Sequence, residues 1–239
     1  MLIYGTFRRG MARSFSVWSK DALRRKYVEF WNSEITNRSW EMLLDFSRKY
    51  DFILMGGWAI YLYSQLQKSR DIDIIVSYES FSVISNDYPI KKNMALKEYE
   101  IKFRDFDVDI YLPHFSRLSV PPSDILDLYS TVVDNIKVPT IETLLTLKLG
   151  AYSDRLNSIR GDKDSLDIVG LLSRVDINMG ELKKIFRKYN LHHFHNHLKN
   201  VILRFDHGLL PYLNLNENSF SKLRKRLLEQ MENTNFGTE

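Results

Sequence analysis

Gly56-Gly57-Trp58-Ala59 and, a short way downstream, Ser69-Arg70-Asp71-Ile72-Asp73-Ile74-Ile75-Val76 are the stretches that decide the fold. The apolar run at residues 52–55 stops at the glycine pair, which reads as a buried strand entering a tight turn. Residues 58–66 fit one short helix, and residues 71–76 form a β-branched strand. The result is a strand–turn–helix–strand unit, with glycine at the turn and two aspartates opening the second strand.

Working outward, residues 95–104 and 106–113 read as an antiparallel pair around Arg104-Asp105. In the second of these strands Phe106, Val108, Ile110 and Leu112 alternate with Asp105, Asp107, Asp109 and Tyr111, so one face is apolar and the other acidic. Residues 18–50 read as helical, with Trp18, Leu23, Tyr27, Phe30, Trp31, Trp40, Leu43, Leu44 and Phe46 at mixed three- and four-residue spacing. From Thr140 onward the expected helices are 141–158, 163–174, 180–189, 192–205 and 217–231. The expected class is α+β: a small mixed β-sheet with flanking helices, followed by a C-terminal helical bundle. The expected division puts the N-terminal helices and the sheet core in residues 1–135 and a helical domain in residues 136–239.

The chain of 239 residues is 44% hydrophobic and 27% charged, which suits a packed core and excludes fibrous or low-complexity architectures. It contains no cysteine, so disulfide frameworks, thiolate metal sites and cysteine nucleophiles are excluded. No apolar run reaches the length of a membrane-spanning helix, and Arg8-Arg9 interrupts the N-terminus where a secretory signal stays apolar. The expectation is a cytoplasmic protein with no membrane partner. Net charge is +4 but uneven, running +5 over residues 1–50, −5 over residues 51–180 and +4 over residues 181–239. An acidic middle between basic flanks suggests a cation-binding centre beside a surface that attracts polyanions such as RNA.

Two aspartates one residue apart on a strand share a face, roughly 6–7 Å apart along the chain. Carboxylates that close repel one another in a partly buried site unless cations neutralise them. Magnesium suits the task, because it takes oxygen ligands while keeping waters and substrate phosphates in its shell. If the strand carrying Asp107 and Asp109 lies beside the first, three or four carboxylates converge, as two-metal phosphoryl chemistry requires. The glycine pair adds a second component, since its backbone and the following helix N-terminus can cradle a triphosphate. Each component alone is common, and their order along the chain gives the combination its weight.

These residues, Gly56-Gly57-Trp58-Ala59, Arg70-Asp71-Ile72-Asp73-Ile74 and Val108-Asp109-Ile110, resemble the DNA polymerase beta-like nucleotidyltransferase superfamily. The resemblance implies a nucleotidyltransferase core in which Asp71, Asp73 and Asp109 hold two Mg2+ ions, or Mn2+, and Asp109 also serves as base. It places Gly56 and Gly57 at the nucleotide phosphates. Many members carry Ser after the first glycine, and Gly57 offers no hydroxyl there. Asp107 shares a face with Asp109 and competes for the third-acid role.

In the helix expected over residues 141–158, Ile141, Leu144, Leu145, Leu149, Tyr152 and Leu156 fall on one face, with Lys148 in the middle of that stripe and Arg155 along it. On the next helix Asp164 and Asp167 share a face with Ile168 and Leu171. A triphosphate would partner the buried cations; alternatively Arg155 pairs with Asp167 to staple two helices, and Lys148 snorkels to the surface. The segment from Glu142 to Leu172 is similar to the AbiEii-type nucleotidyltransferases, which include toxins of type IV toxin–antitoxin pairs. This likeness implies that Lys148 contacts phosphate and that Asp167 positions catalytic groups; the expected set is completed by a catalytic role for Lys148 and by Arg70, Arg155 and Asp167 as nucleotide-binding residues. The partners it implies are a nucleoside triphosphate such as ATP, an RNA or protein acceptor, and an antitoxin. The alternative is a degenerate, non-catalytic relative that binds nucleotide, RNA or protein.

Other features are read as structural. His193 and His197 stand one helical turn apart, but no Glu lies between them and no third ligand is evident. Arg224-Lys225-Arg226 reads as solvated surface, and the scattered tyrosines and phenylalanines as core. No Gly-x-Ser-x-Gly elbow supports nucleophilic hydrolysis.

Overall fold

The structure, a computed structural model, describes residues 33–236. The helix expected upstream of Ser33, with Trp18 through Trp31, and the Arg8-Arg9 pair lie outside the described residues. Helix α1 (Ser33–Lys49) carries Glu34 in its first turn and Arg48 and Lys49 in its last, the polarity that a helix dipole favours. It buries Leu43 and Phe46, and its Ser39 Oγ accepts a 3.0 Å hydrogen bond from the indole N–H of Trp58. Strand β1 (Ile53–Met55) then runs straight into α2 (Gly56–Ser64): the strand–helix order is as expected, but the glycine pair opens the helix itself, which was expected over residues 58–66. Helix α2 stops where Gln65 adopts a left-handed conformation, φ 55°.

Strand β2 (Ile72–Ile75) pairs antiparallel with β1. The chain then leaves the sheet through α3 (Tyr78–Asp87) and returns as the hairpin β3 (Lys91–Asn93) and β4 (Glu98–Lys102). Residues 95–104 were expected as one strand. Lys97 turns left-handed at φ 57°, so only the second part of that stretch is strand and the chain before it forms the hairpin tip. Strand β5 (Asp107–Tyr111) pairs antiparallel with β4, as expected, and parallel with β2. The five-stranded order is β1-β2-β5-β4-β3, a mixed sheet.

Helix α4 (Pro122–Leu128) and a separate hairpin, β6 (Ser130–Val133) with β7 (Ile136–Pro139), follow. Its turn, Asp134-Asn135, has both residues at positive φ, 48° and 63°, the conformation a two-residue hairpin turn favours. The boundary expected at 135/136 falls inside this hairpin, between its turn and β7. Beyond it come α5 (Ile141–Asp154), α6 (Ile159–Arg174), α7 (Met179–Lys188), α8 (Phe194–Arg204), a 3-10 helix (His207–Leu213) and α9 (Glu217–Thr234). The helix expected over 141–158 ends at Asp154. Asn157 turns left-handed, and Ser158 caps the next helix by accepting from the Gly161 N–H.

One core runs through sheet and helices, from Leu43 and Trp58 through Ile74, Val108 and Leu145 to Leu213 and Leu227. It covers the sheet face that carries Ile72, Ile74, Val108, Ile110 and Ile101. The opposite face is covered at one end by a smaller cluster of Ile53, Met55, Ile75, Val120, Ile125, Leu147 and Ile185. The acids lie on this second face. Among the described residues, no helix is long and apolar enough to cross a membrane.

Candidate active site

Pairing across the sheet sets up a transverse row. Met55 is the register partner of Asp73, Asp73 of Asp109, and Asp109 of Glu100. Period-two alternation points these side chains to one face, so Asp73, Asp109 and Glu100 stand side by side on three adjacent strands. Among the described residues, neither Asp73 nor Asp109 has a hydrogen-bond donor or a cation within ion-pair distance. Burial drives the Asp109 carboxyl up to about 8, helped by the charge of Asp73 and then of Glu98. Asp73 rises to about 6, again chiefly through burial, with Lys148 partly opposing the shift.

Asp71 stands just ahead of β2 and is held differently. Its Oδ1 accepts the Asp107 backbone N–H at 3.1 Å, tying the start of β2 to the start of β5. Arg70 folds onto the same carboxylate, with Nε 3.1 Å from Oδ1 and Nη2 3.0 Å from Oδ2. Asp107, the competing third acid, is paired with Lys102 at 2.8 Å. Asp109 faces Asp73 across the sheet with no such partner, which separates the two candidates.

The glycine turn closes over Asp73. Gly56 sits at φ 66°, and a Cβ built on it would lie 1.9 Å from Asp73 Oδ2. Only glycine lets the chain pass this close to the carboxylate. Gly57 is also confined, its Cβ position lying 2.5 Å from Ser69 Oγ and 3.5 Å from Lys163 Nζ. Helix α2 starts at this point, and its N-cap residue, Met55, supplies no side-chain cap to the first-turn N–H groups.

Lys148 does not snorkel. It is 7% exposed and donates to Asp167 Oδ2 at 2.7 Å and to Asp164 Oδ1 at 3.4 Å. Burial works against its charge, but Asp167 and Asp164 outweigh that and hold the ammonium above the usual lysine range. Arg155 lies just past the end of α5 and pairs with Asp164 Oδ2 at 3.1 Å rather than with Asp167. Asp167, fully enclosed, stays below the usual aspartate range because Lys148 and Lys163 overcome its burial. The same ammonium of Lys148 is felt at Asp73, so this network backs onto the acid row.

Sequence reasoning did not single out Glu98 or Glu100. One ligand atom of each and one of Asp109 all lie within 4.8 Å of one another, the group of acids among the described residues close enough to hold a metal ion together, and Asp71 and Asp73 are outside it. Glu98 is buried and bonds to Tyr111, whose hydroxyl proton is held well above its usual pKa by burial and by Asp73 and Glu98. The signal was present: Glu98-Tyr99-Glu100 repeats the i, i+2 spacing of Asp71 and Asp73. Ser69 and Lys163 also went unassigned. Of the discounted residues, His193 and His197 meet edge to face with ring centroids 5.5 Å apart, and His197 meets Ser153 at 3.3 Å.

The donor set fits a divalent cation. Asp73 and Asp109 have no hydrogen-bond or ion-pair partner among the described residues, and burial first, then neighbouring acids, raise their pKa values. With the Glu100 and Glu98 carboxylates they form a site in which an oxygen-seeking ion relieves the repulsion.

No family model matches the chain, and no curated protein is significantly similar in sequence. Among solved structures, the chain is similar to an antigenic nucleotidyltransferase-like protein from Paracoccidioides brasiliensis, at 16% identity over 77% of this chain and 94% of that one, with a TM-score of 0.47. It is also similar to the protein JHP933 from Helicobacter pylori, at 16% identity over 85% of this chain and 97% of that one, with a TM-score of 0.48.

Proposed function

We propose that the chain is a metal-dependent nucleotidyltransferase that moves a nucleoside monophosphate from a nucleoside triphosphate to an acceptor oxygen. The observation that carries this is the facing pair Asp73 and Asp109, carboxylates without partners on neighbouring strands under a glycine turn. Asp71, Asp73 and Asp109 would hold magnesium, which supplies charge neutralisation at the phosphates and acidifies the attacking hydroxyl. An acceptor oxygen forms a bond to the α-phosphorus while the bond to the β-phosphate oxygen breaks and pyrophosphate leaves. The hydroxyl proton passes to the Asp109 carboxylate. The Lys148 ammonium, locked by Asp164 and Asp167, offsets phosphate charge from behind Asp73. For Asp71 to serve, the guanidinium of Arg70 must move off its carboxylate, which frees Arg70 to meet the nucleotide.

The AbiEii-type assignment rests on Lys148, Arg155, Lys163, Asp164 and Asp167, which the fold gathers into one network between α5 and α6. It carries with it an RNA or protein acceptor and a growth-arresting role countered by an antitoxin.

The test is transfer of label from α-labelled ATP, GTP, CTP and UTP into a cell extract with magnesium or manganese. Transfer of α-label but not γ-label, lost in Asp73→Asn, supports the assignment. Nucleotide binding that needs no metal, with no transfer from any of the four, overturns it in favour of a non-catalytic binder. Growth arrest on expression, relieved by the same substitution, supports the toxin-type role.

A further inference from the structure

We infer that Arg70 is a latch on Asp71, closed in the free protein and opened by the phosphates of the arriving nucleotide, so that the full set of metal-binding carboxylates is assembled only after the triphosphate has bound. This rests on the nucleotidyltransferase reading and adds to it an order of assembly.

The three aspartates assigned to metal are not in the same state. Asp73 and Asp109 accept no hydrogen bond among the described residues, whereas the Asp71 carboxylate is saturated. An ionised carboxylate offers about four acceptor positions on its two oxygens. At Asp71, Oδ1 accepts the Asp107 backbone N–H at 3.1 Å and the Arg70 Nε–H at 3.1 Å. Its Oδ2 accepts from Arg70 Nη2 at 3.0 Å and shares Nε at 3.2 Å. A cation cannot reach Asp71 without displacing one of these donors, and the guanidinium repels it on approach.

The two ties are unequal. The Asp107 N–H belongs to the backbone of β5, and Asp107 is the register partner of Lys102 on β4, so the sheet holds that donor in place. Arg70 is a long side chain in the loop ahead of β2, and it and Asp71 are each 32% exposed. When the guanidinium leaves, the Asp107 N–H keeps hold of Oδ1 and the carboxylate stays at the head of β2 with Oδ2 open. One donor sets where this carboxylate lies and the other sets whether it is available.

Phosphate is the chemistry that opens the latch. A guanidinium forks onto phosphate oxygens as readily as onto a carboxylate, so Arg70 exchanges one bidentate partner for another of higher charge. Without nucleotide, a metal ion meets Asp73, Asp109 and the glutamates of β4, but not Asp71.

The experiment counts the Mn2+ ions bound by the full chain without nucleotide, from the electron paramagnetic resonance of the free ion. Wild type should bind one and Arg70→Gln two, and adding Asp71→Asn to Arg70→Gln should return the count to one. Lys91→Gln removes a positive charge at the register partner of Glu100 while leaving Asp71 latched, and should still bind one. Equal counts in wild type and Arg70→Gln, with the fold intact by circular dichroism, overturn the latch. Binding of tripolyphosphate in EDTA tests what opens it. Asp71→Asn, which releases Arg70, should strengthen that binding by about tenfold, and the gain should vanish when Arg70→Gln is added. No gain, or a gain that survives the loss of Arg70, overturns phosphate as the opener. The nucleotidyltransferase reading fails separately, if wild type with metal transfers no label from any of the four nucleotides.

Discussion

Asp73 and Asp109 are register partners on the parallel strands β2 and β5, so two carboxylates from distant parts of the chain meet side by side without a cation between them. Replacing either by asparagine keeps the shape and removes the charge. Asp73→Asn and Asp109→Asn should each lower nucleotidyl transfer by at least about a hundredfold to a thousandfold. Circular dichroism should show an unchanged fold. Turnover near wild type in either variant would remove that residue from the site.

The same repulsion sets a pH dependence for the metal-free protein. Both carboxyls are raised, Asp73 to about 6 and Asp109 to about 8, above the unfolded value near 3.8. The unfolded chain therefore releases these protons first, and folding stability falls as pH rises from about 4 to about 8. In EDTA, the melting temperature should decline across that window. Asp109→Asn should flatten the decline and raise stability at pH 8 by on the order of 1 kcal/mol, roughly 2–4 °C. Magnesium should reverse the trend by favouring the ionised pair, and a melting temperature indifferent to both pH and metal would contradict this.

Gly56 is confined by Asp73 as much as by its own φ of 66°. Gly56→Ala should cost at least about 2 kcal/mol from left-handed strain and overpacking together. In an Asp73→Ala background the Oδ2 and Cγ clashes vanish, so the cost of Gly56→Ala should fall by about 1 kcal/mol. A double-mutant cycle in urea reads this directly, and additive effects would show that the close approach is not what fixes Gly56.

Lys148 neutralises two enclosed carboxylates. Lys148→Met should destabilise by roughly 3 kcal/mol, because it leaves the enclosed Asp167 with Lys163 at 4.0 Å as its nearest cation, while Asp164 keeps Arg155. Adding Asp167→Asn should recover part of that loss. Denaturant midpoints of the single and double variants check it; a tolerated Lys148→Met would mean that water reaches the pair.

The acid-bearing strands were legible because alternation has a period of two and needs no partner to be seen. Which strands lie beside each other was not, since β2 and β5 are neighbours only after the chain has crossed over through α3, β3 and β4. Glu98 and Glu100 escaped notice for the same reason, as their importance lies in facing Asp109 across β4 and β5. The hairpin of β6 and β7 was missed although Asp134-Asn135 is a strong turn pair. Lys148 stood out as a cation in an apolar stripe, but its partners became visible only once α5 ended at Asp154 and α6 brought Asp164 and Asp167 against it.

The parallel joint between β2 and β5 has a kinetic corollary. Closing it demands that the whole excursion from Val76 to Phe106 be gathered first, and such long-range closures form slowly. A nascent chain that has emerged only as far as the tip of the β3–β4 hairpin carries one half of the acid pair and lacks its mate. The acid pair is therefore complete only once β5 has emerged. A protease cut at the hairpin tip, where Met94 and Leu96 are exposed, would leave the two halves to find each other by diffusion alone.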